Sequence, residues 1–337
     1  MYKVYISHSG NPYFNLAFEE YLVRHHNPKD QILFLWQNQN TAVIGRNQNP
    51  WKECNLEELK RRGGCMVRRL SGGGAVYHDL GNLNFTFISV FSEEKVKENI
   101  ALIIRALSFN GIEAVFSGKN DLLAQGNKIS GNAFFVENDI LCHHGTLLVD
   151  ADLEKLGRLL TVSRNKLQSK GIDSVKSRVT NIKELNHKIT VESLKTDLIN
   201  AFFTDGEKAP VFRIDEKESE DDRINLEEVF KLMGNYESWE WNFGESPEFS
   251  LQISQRFPWG EVDLYIMVID GIITEVKVFT DALDVDLAKK IERKVLNAKF
   301  DEGGLMALIS KINISTFPPC NISLFAPGLD VPMKTQF

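Results

Sequence analysis

Three consecutive glycines, Gly72 to Gly74, are the feature that most constrains how this 337-residue chain can fold. They predict a loop between two segments with strand-like patterns, 66–69 and 75–77. A glycine backbone can approach a ligand closely and direct several N–H groups at it. Arg68 and Arg69 immediately precede the run and add forked donors that suit phosphate or carboxylate groups. The segment therefore predicts an anion-binding loop.

The same glycines could instead form a flexible turn with surface arginines around it. The residues Val76-Tyr77-His78-Asp79, which follow at once, favour the binding site. The segment matches neither the Gly-x-Gly-x-x-Gly fingerprint nor the Gly-x-x-x-x-Gly-Lys-Ser/Thr phosphate loop. A nucleotide bound here would have to be held in another manner.

Strand and helix patterns alternate along the chain. Gln31–Trp36 is nearly all apolar and is typical of a buried strand. Asn15 is the expected cap of a helix that ends near His25. After residue 249 the pattern restarts with a hairpin around Asp270-Gly271, and helices are expected over 282–296 and 303–312. We assign residues 1–245 to a first domain and 246–337 to a small second α/β domain.

Composition excludes several classes of protein. The formal net charge of -7 makes nucleic acid an unsuitable main partner. No stretch approaches the ~20 apolar residues of a membrane span, and the first 15 residues lack the pattern of a secretory signal. The four cysteines are scattered, so neither a zinc site nor a disulfide framework is indicated. A cytoplasmic protein is expected.

A second polar patch runs from Ser117 to Asp121 and continues from Gly126 to Gly131. Asn120 and Asp121 could hold Mg²⁺ through hard oxygen ligands. Lys128 could place a positive charge on a phosphate or a reacting carboxyl group. Taken alone, however, the patch is better explained as two hairpin turns, which are rich in the same residues.

A third patch is His143-His144-Gly145-Thr146. Adjacent histidines on a strand point to opposite faces, so packing or hydrogen bonding is a better interpretation than a shared metal. Cys142 could be a nucleophile beside a histidine, although a buried strand cysteine is the simpler interpretation. The segment Trp239-Glu240-Trp241 is interpreted as packing between the two domains.

In this order, the three patches resemble the lipoate–protein ligase family in its two-domain bacterial form. The segment Arg-Arg-x-Ser-Gly-Gly-Gly-Ala-Val-x-His-Asp is highly specific for that family and its close relatives. The matching segments are Asn15–Glu20, Val43–Trp51, Arg68–Asn82, Gly118–Asp121, Lys128–Gly131, His143–Leu148, Ser177–Asn181 and Trp239–Gly244.

The resemblance implies an α+β fold with a mixed β-sheet core flanked by helices, similar to biotin ligases and class II aminoacyl-tRNA synthetases. It makes residues 1–245 the catalytic, lipoate- and ATP-binding domain and residues 246–337 the accessory domain. It also implies two half-reactions. Lipoate and Mg²⁺-bound ATP give lipoyl-AMP and pyrophosphate, and a carrier lysine then takes the lipoyl group. By motif position, Lys128 is the expected catalytic residue and Asp121 the expected Mg²⁺ ligand. The expected contacts of ATP or lipoyl-AMP are Arg69, Gly74, Ala75, Val76, Tyr77, His78, Asn120, Asp121, Lys128, Gly145 and Thr146.

The resemblance also indicates the acceptors. They would be apo lipoyl domains of 2-oxoacid dehydrogenase acyltransferase subunits, or the glycine-cleavage carrier protein. The nearest alternative is an octanoyl or lipoyl transferase that acts without ATP. Such an enzyme uses a cysteine nucleophile, and Cys142 is the only cysteine inside a matched motif. A biotin ligase is disfavoured because the Gly-Arg-Gly-Arg type of loop is missing.

Overall fold

The computed structural model describes residues 1–117, 120–160, 179–203, 209–244, 251–269 and 271–312. Within these ranges no helix is both long and apolar enough to cross a membrane. The strands are β1 (Tyr2–Ser7), β2 (Gln31–Trp36), β3 (Thr41–Ile44), β4 (Cys65–Arg68), β5 (Val76–His78), β6 (Asn82–Val90), β7 (Ala114–Ser117), β8 (Asp121–Ala124), β9 (Asn127–Glu137), β10 (Ile140–Leu148), β11 (Val211–Ile214), β12 (Leu251–Phe257), β13 (Gly260–Ile269) and β14 (Ile272–Thr280). The helices are α1 (Pro12–Arg24), α2 (Pro50–Glu53), α3 (Leu56–Arg61), α4 (Glu93–Ser108), α5 (Leu153–Leu159), α6 (Ile182–Leu185), α7 (Val191–Phe202), α8 (Leu226–Glu237), α9 (Trp239–Phe243), α10 (Leu287–Val295) and α11 (Glu302–Ser310).

Eight strands form one mixed sheet in the order β11-β1-β2-β6-β10-β9-β8-β7. Strand β1 is parallel to its two neighbours, β11 and β2. From β2 onward in this sheet order, every neighbouring pair of strands is antiparallel. Helices α1 and α8 cover one face, while α4 and α7 cover the other. Because both faces are covered, the central strand β6 is buried from Asn82 to Ser89. The predicted α+β class with a mixed sheet is confirmed.

Helix α1 begins earlier than the sequence suggested. Asn11 caps it by accepting a hydrogen bond from the Tyr13 amide, and Pro12 fills the first helical position. Asn15 lies inside the helix, where its amide donates to the Gln37 carbonyl. The predicted cap at Asn15 is wrong because Asn11, four residues earlier, already caps the helix and Pro12 begins it.

A smaller sheet in the order β4-β3-β5 carries the glycine loop between β4 and β5. Gly45 follows β3, and a β-carbon there would run into the Gly73 carbonyl. The Arg46 amide donates to the Ser71 carbonyl at 2.8 Å. The glycine loop is thus held flat against the end of β3, and this close approach requires glycine at position 45.

The C-terminal part is an antiparallel sheet, β12-β13-β14, packed against α10 and α11. The predicted hairpin is confirmed by the pairing of Ile269 with Ile272, although Asp270 lies outside the described residues. The segment that follows β14 contacts the glycine loop, since the Gly73 amide donates to the Ala282 carbonyl at 2.9 Å. Lys52 of α2 also reaches Asp263 of β13 at 2.6 Å.

Candidate active site

Five residues lie side by side across the large sheet and form what we call the sheet row. Strand register pairs Asp121 with Gly131, Gly131 with Thr146, Thr146 with Asn84, and Asn84 with Trp36. Residues in register on neighbouring strands project from the same face. Here that face is the one covered by α1. The row runs from the partly exposed carboxylate of Asp121 to the indole of Trp36, which is 3% exposed.

Lys128 lies at the open end of the sheet row. Its Nζ is 2.7 Å from Oδ1 of Asp121, and both side chains are about one-third exposed. A β-carbon on Gly131 would be 3.1 Å from that Nζ, so the lysine side chain lies directly over the glycine. The Thr180 amide donates to the Lys128 carbonyl at 3.0 Å and holds the lysine backbone. The structure therefore brings the predicted pair Lys128 and Asp121 together.

Three other predicted site residues near this end, Asn120, Thr146 and Gly145, make contacts that stabilise the sheet. The Asn120 side chain donates to the Asn132 carbonyl at 3.1 Å and joins the segment before β8 to β9. The Thr146 hydroxyl accepts from the Gly131 amide at 3.2 Å. Gly145 points to the opposite face, where a β-carbon would collide with the Phe85 ring. Residues 118, 119, 177 and 178 lie outside the described ranges.

Arg69 is buried beneath the glycine loop and shapes it. Its guanidinium donates to the Gly72 carbonyl at 2.7 Å, to the Gly74 carbonyl at 2.8 Å and to the Ser71 hydroxyl at 2.9 Å. Burial disfavours the charged form and lowers the pKa of Arg69 to about 10, so it remains a cation at neutral pH. The charge lies under the glycines, and several of its donors are already engaged.

A buried chain of hydrogen bonds connects Arg69 to α1. The Ser71 hydroxyl lies 2.6 Å from Nε2 of His144, and Nδ1 of His144 is 2.9 Å from the Glu19 carboxylate. Glu19 also accepts from the Thr86 hydroxyl at 2.6 Å. With Nδ1–H donating to the carboxylate, Nε2 accepts from the serine, which in turn accepts from Arg69. The glycine loop is therefore fixed to both the sheet and α1.

Strand β5 sends alternate side chains to opposite sides. Tyr77 packs into the cluster around Leu59, and its hydroxyl donates to Asn40 at 2.9 Å. Tyr77 can therefore serve the site only through its backbone. Val76 and His78 face the α1 side, while Gly74, Ala75 and Val76 are partly exposed. Burial, and then the Arg69 charge, lower the pKa of His78 to about 3 and keep it neutral.

Cys142 lies on the same face but is unsuited to nucleophilic attack. The thiol is fully buried, and burial followed by the Glu19 charge raises its pKa well above the ordinary value. Cys142, Glu19 and His144 form the only candidate metal cluster among the described residues. The Glu19 oxygens are already engaged by His144 and Thr86. A transferase based on a thiolate at this position is disfavoured.

The aromatic segment of α9 packs against residues of the first part of the chain, whereas the sequence predicted packing between the two domains. The Trp241 indole donates to the Arg68 carbonyl at 2.8 Å, and Arg46 lies 4.4 Å from the Trp241 ring centre. Trp239 is 61% exposed and stacks on Phe243. The Arg68 guanidinium also donates a hydrogen bond to the Asn242 carbonyl, which holds the short helix α9 against the end of β4.

Sequence reasoning gave no role to Glu19 or Ser71. A signal for Glu19 existed, because a carboxylate among the apolar positions of α1 demands a buried partner. That partner, His144, is 125 residues away in the sequence, and a single sequence cannot reveal such a pairing.

Comparison with known families gives two matches. The lipoyl protein ligase A/B catalytic domain matches residues 11–203, and the bacterial lipoate protein ligase C-terminus matches residues 246–324. The chain is 43% identical to lipoate-protein ligase A of Psychrobacter cryohalolentis over 309 residues, which cover 90% of both chains.

Solved structures give the same result. P. falciparum LipL1 in complex with lipoate is 31% identical with a TM-score of 0.78, and the match covers 94% of this chain and 96% of that one. Lipoate-protein ligase A bound with ATP is 25% identical with a TM-score of 0.61, over 72% and 98% of the two chains. A bipartite ligase studied with its E2 lipoyl domain, from Thermoplasma acidophilum, is 26% identical with a TM-score of 0.62, over 74% and 98%. The chain belongs to the lipoate–protein ligase family.

Proposed function

We propose that the sheet row and the glycine loop form one site for both half-reactions of this ATP-dependent, AMP-forming lipoate–protein ligase. The observation that carries the proposal is the placement of Lys128 over Gly131, beside Asp121 at the open end of the row. Arg69 is buried beneath the glycine loop. Gly74 and Ala75 are in the loop and are partly exposed.

The first half-reaction must bring two anions together, a carboxylate and a triphosphate. Lys128 offsets their repulsion and holds the lipoate carboxylate in line with the α-phosphate, which lowers the barrier by positioning. Arg69 adds charge from beneath the glycines, and the backbone amides of Ala75, Val76 and Tyr77 offer donors to the nucleotide. The attack of the carboxylate breaks the α–β phosphoanhydride bond, and pyrophosphate leaves.

A magnesium ion fits this site through Asp121. Its carboxylate is one-third exposed and offers a hard oxygen ligand. Magnesium in nucleotide sites is typically held by one or two carboxylates together with substrate phosphates and water. When bound, the ion would neutralise charge on the triphosphate. We propose Asn120 as a neighbour of the phosphates, because its side chain already fixes the segment that precedes Asp121.

In the second half-reaction, the ε-amine of a carrier lysine attacks the lipoyl carbonyl and AMP leaves. We propose as acceptors the apo lipoyl domains of 2-oxoacid dehydrogenase acyltransferase subunits or the glycine-cleavage carrier protein. The presence of an E2 lipoyl domain with the T. acidophilum relative supports the first class. We further propose a catalytic domain of residues 1–245, an accessory domain of residues 246–337, and a cytoplasmic location. Free thiols at Cys54, Cys65 and Cys142 support that location.

The test is to mix the protein with ATP, Mg²⁺ and lipoate, with and without an apo lipoyl domain. Pyrophosphate release and a lipoyl mass gain on the domain, measured by mass spectrometry, are expected. Transfer only from supplied lipoyl-AMP or an acyl thioester, with no pyrophosphate, would contradict the proposal.

A further inference from the structure

Two buried N–H donors near the closed end of the sheet row have no partner within the described residues. Asn84 is 1% exposed, and its Oδ1 accepts from the side-chain Nδ2 of Asn82 at 2.8 Å, which leaves Nδ2 of Asn84 unpaired. His78 is 3% exposed, and its Nε2 is also unpaired. Leaving a buried donor without an acceptor is costly, so such groups call for an explanation.

The hydrogen-bond network assigns the proton of His78 to the unpaired nitrogen. Oδ1 of Asn38 accepts from the side-chain Nδ2 of Asn15 at 3.0 Å, so Nδ2 of Asn38 faces Nδ1 of His78 at 3.2 Å. Nδ1 must therefore accept, and in a neutral ring the proton is on Nε2. Asn84 and His78 thus both offer donors, and both adjoin Trp36. Asn84 is its register partner, and the ring centres of His78 and Trp36 are 6.0 Å apart.

The strand spacing along the sheet row gives the distance from these donors to Lys128, where the carboxylate would react. Strand β6 with Asn84 is two strands from β9, where Lys128 lies over Gly131. Neighbouring strands are about 4.8 Å apart. Two such steps match the extended length of an eight-carbon acyl chain. The chain of an acid whose carboxylate contacts Lys128 would pass over Gly131 and Thr146, which have small side chains. Its far end would lie beside Asn84, His78 and Trp36.

On the basis of the proposed function, we infer that Asn84 and His78 determine specificity at the distal end of the acyl group. A dithiolane ring ends in two adjacent sulfurs, which are weak hydrogen-bond acceptors and can each take one donor. An octanoyl chain ends in a methyl group that accepts no hydrogen bond and would leave both donors buried and unpaired. The enzyme therefore selects lipoate over octanoate.

The experiment measures kcat/KM for acyl-AMP formation with lipoate and with octanoate, in the wild type and in Asn84→Leu. Leucine has nearly the shape of asparagine but no donor. The lipoate value is expected to fall roughly tenfold because a hydrogen bond to sulfur is lost, and the octanoate value to rise because no donor is then left buried and unpaired. Asn84→Ala repeats the test if leucine does not fit.

Asn99→Leu is the matched control. Asn99 lies on α4, which covers the opposite face, and its Nδ2 is also buried and unpaired. This substitution should leave the lipoate-to-octanoate ratio unchanged, and thermal melting shows whether each variant folds. A wild type that activates both acids equally, with the same ratio in Asn84→Leu, would overturn the inference. So would a rise in KM for ATP with no change in the ratio. A wild type that activates neither acid would instead contradict the proposed function.

Discussion

Lys128 lies over Gly131 so closely that a β-carbon added to the glycine would be 3.1 Å from Nζ, tighter than an ordinary contact. The lysine is the flexible partner, so an added methyl group displaces its charged end and leaves the sheet intact. Gly131→Ala should therefore lower the rate of lipoyl-AMP formation by about tenfold, because small misplacements of a reacting group are costly. The measurement is pyrophosphate release with lipoate, together with the melting temperature.

Gly234→Ala is the matched control for that substitution. Gly234 lies in α8, and a β-carbon there meets nothing within 4 Å. Alanine should stabilise the helix by about 1 kcal/mol and leave the rate unchanged. Equal rates in wild type and Gly131→Ala would show that the position of Lys128 over Gly131 does not matter for catalysis.

Removing the Lys128 charge should be more severe. We expect Lys128→Ala to lower lipoyl-AMP formation at least a hundredfold, about the loss seen when a transition-state donor is removed. The side chain is one-third exposed and pairs only with Asp121 in the ion pairs of the described residues, so the fold should persist. Lys183→Ala, which removes a surface lysine paired with Asp150, is the control. A Lys128→Ala variant with normal adenylate formation would remove this residue from the mechanism.

The sequence predicted the parts of this site that are local along the chain. The glycine run, the neighbouring arginines and the pair Asp121 and Lys128 all stand close together in sequence and in the fold. It could not predict the partners that tertiary packing supplies. The bond between Glu19 and His144 joins a helix to a strand 125 residues away. The side to which the buried Tyr77 ring points depends on which face of the small sheet is covered by other elements, and no local pattern determines this.

Arg69→Ala should impair the use of ATP more than the binding of the carrier domain. The substitution leaves the Gly72 and Gly74 carbonyls without their donor, so the loop loses its shape and the free energy of unfolding falls by about 2–3 kcal/mol. KM for ATP and affinity for an apo lipoyl domain are the two readouts. Arg105→Ala, on the exposed side of α4, is the control. An unchanged KM for ATP would place Arg69 outside the nucleotide site.

Cys142→Ala should leave the ligase active. The thiol is fully buried and its pKa is raised, so it supplies little thiolate at neutral pH. Removing one buried sulfur should cost about 1 kcal/mol of stability. Pyrophosphate release and lipoyl transfer measure the activity, and Cys142→Ser retains a polar atom for comparison. Loss of transfer in both variants at normal stability would revive the thiolate mechanism of an ATP-independent transferase.

The buried His78 predicts a dependence of stability on acid. Burial and the Arg69 charge lower its pKa to about 3 in the folded protein, whereas the unfolded chain protonates it below about 6.5. Between these values the unfolded state binds more protons, so the free energy of unfolding falls as the pH falls through that window. By pH 5 this one group should have reduced it by about 2 kcal/mol.

Urea unfolding at pH 7.5 and pH 5 measures the effect, with His78→Gln as the test variant. Glutamine cannot gain the proton, so the variant should lose about 2 kcal/mol less than wild type between the two pH values. His143 is also buried with a lowered pKa and contributes equally to both proteins, so it cancels in the comparison. His187→Gln, at an exposed position, should behave as wild type does. If His78→Gln lost as much stability as wild type, the acid sensitivity would lie elsewhere, and the neutral Nε2–H donor assigned to His78 would lose its support.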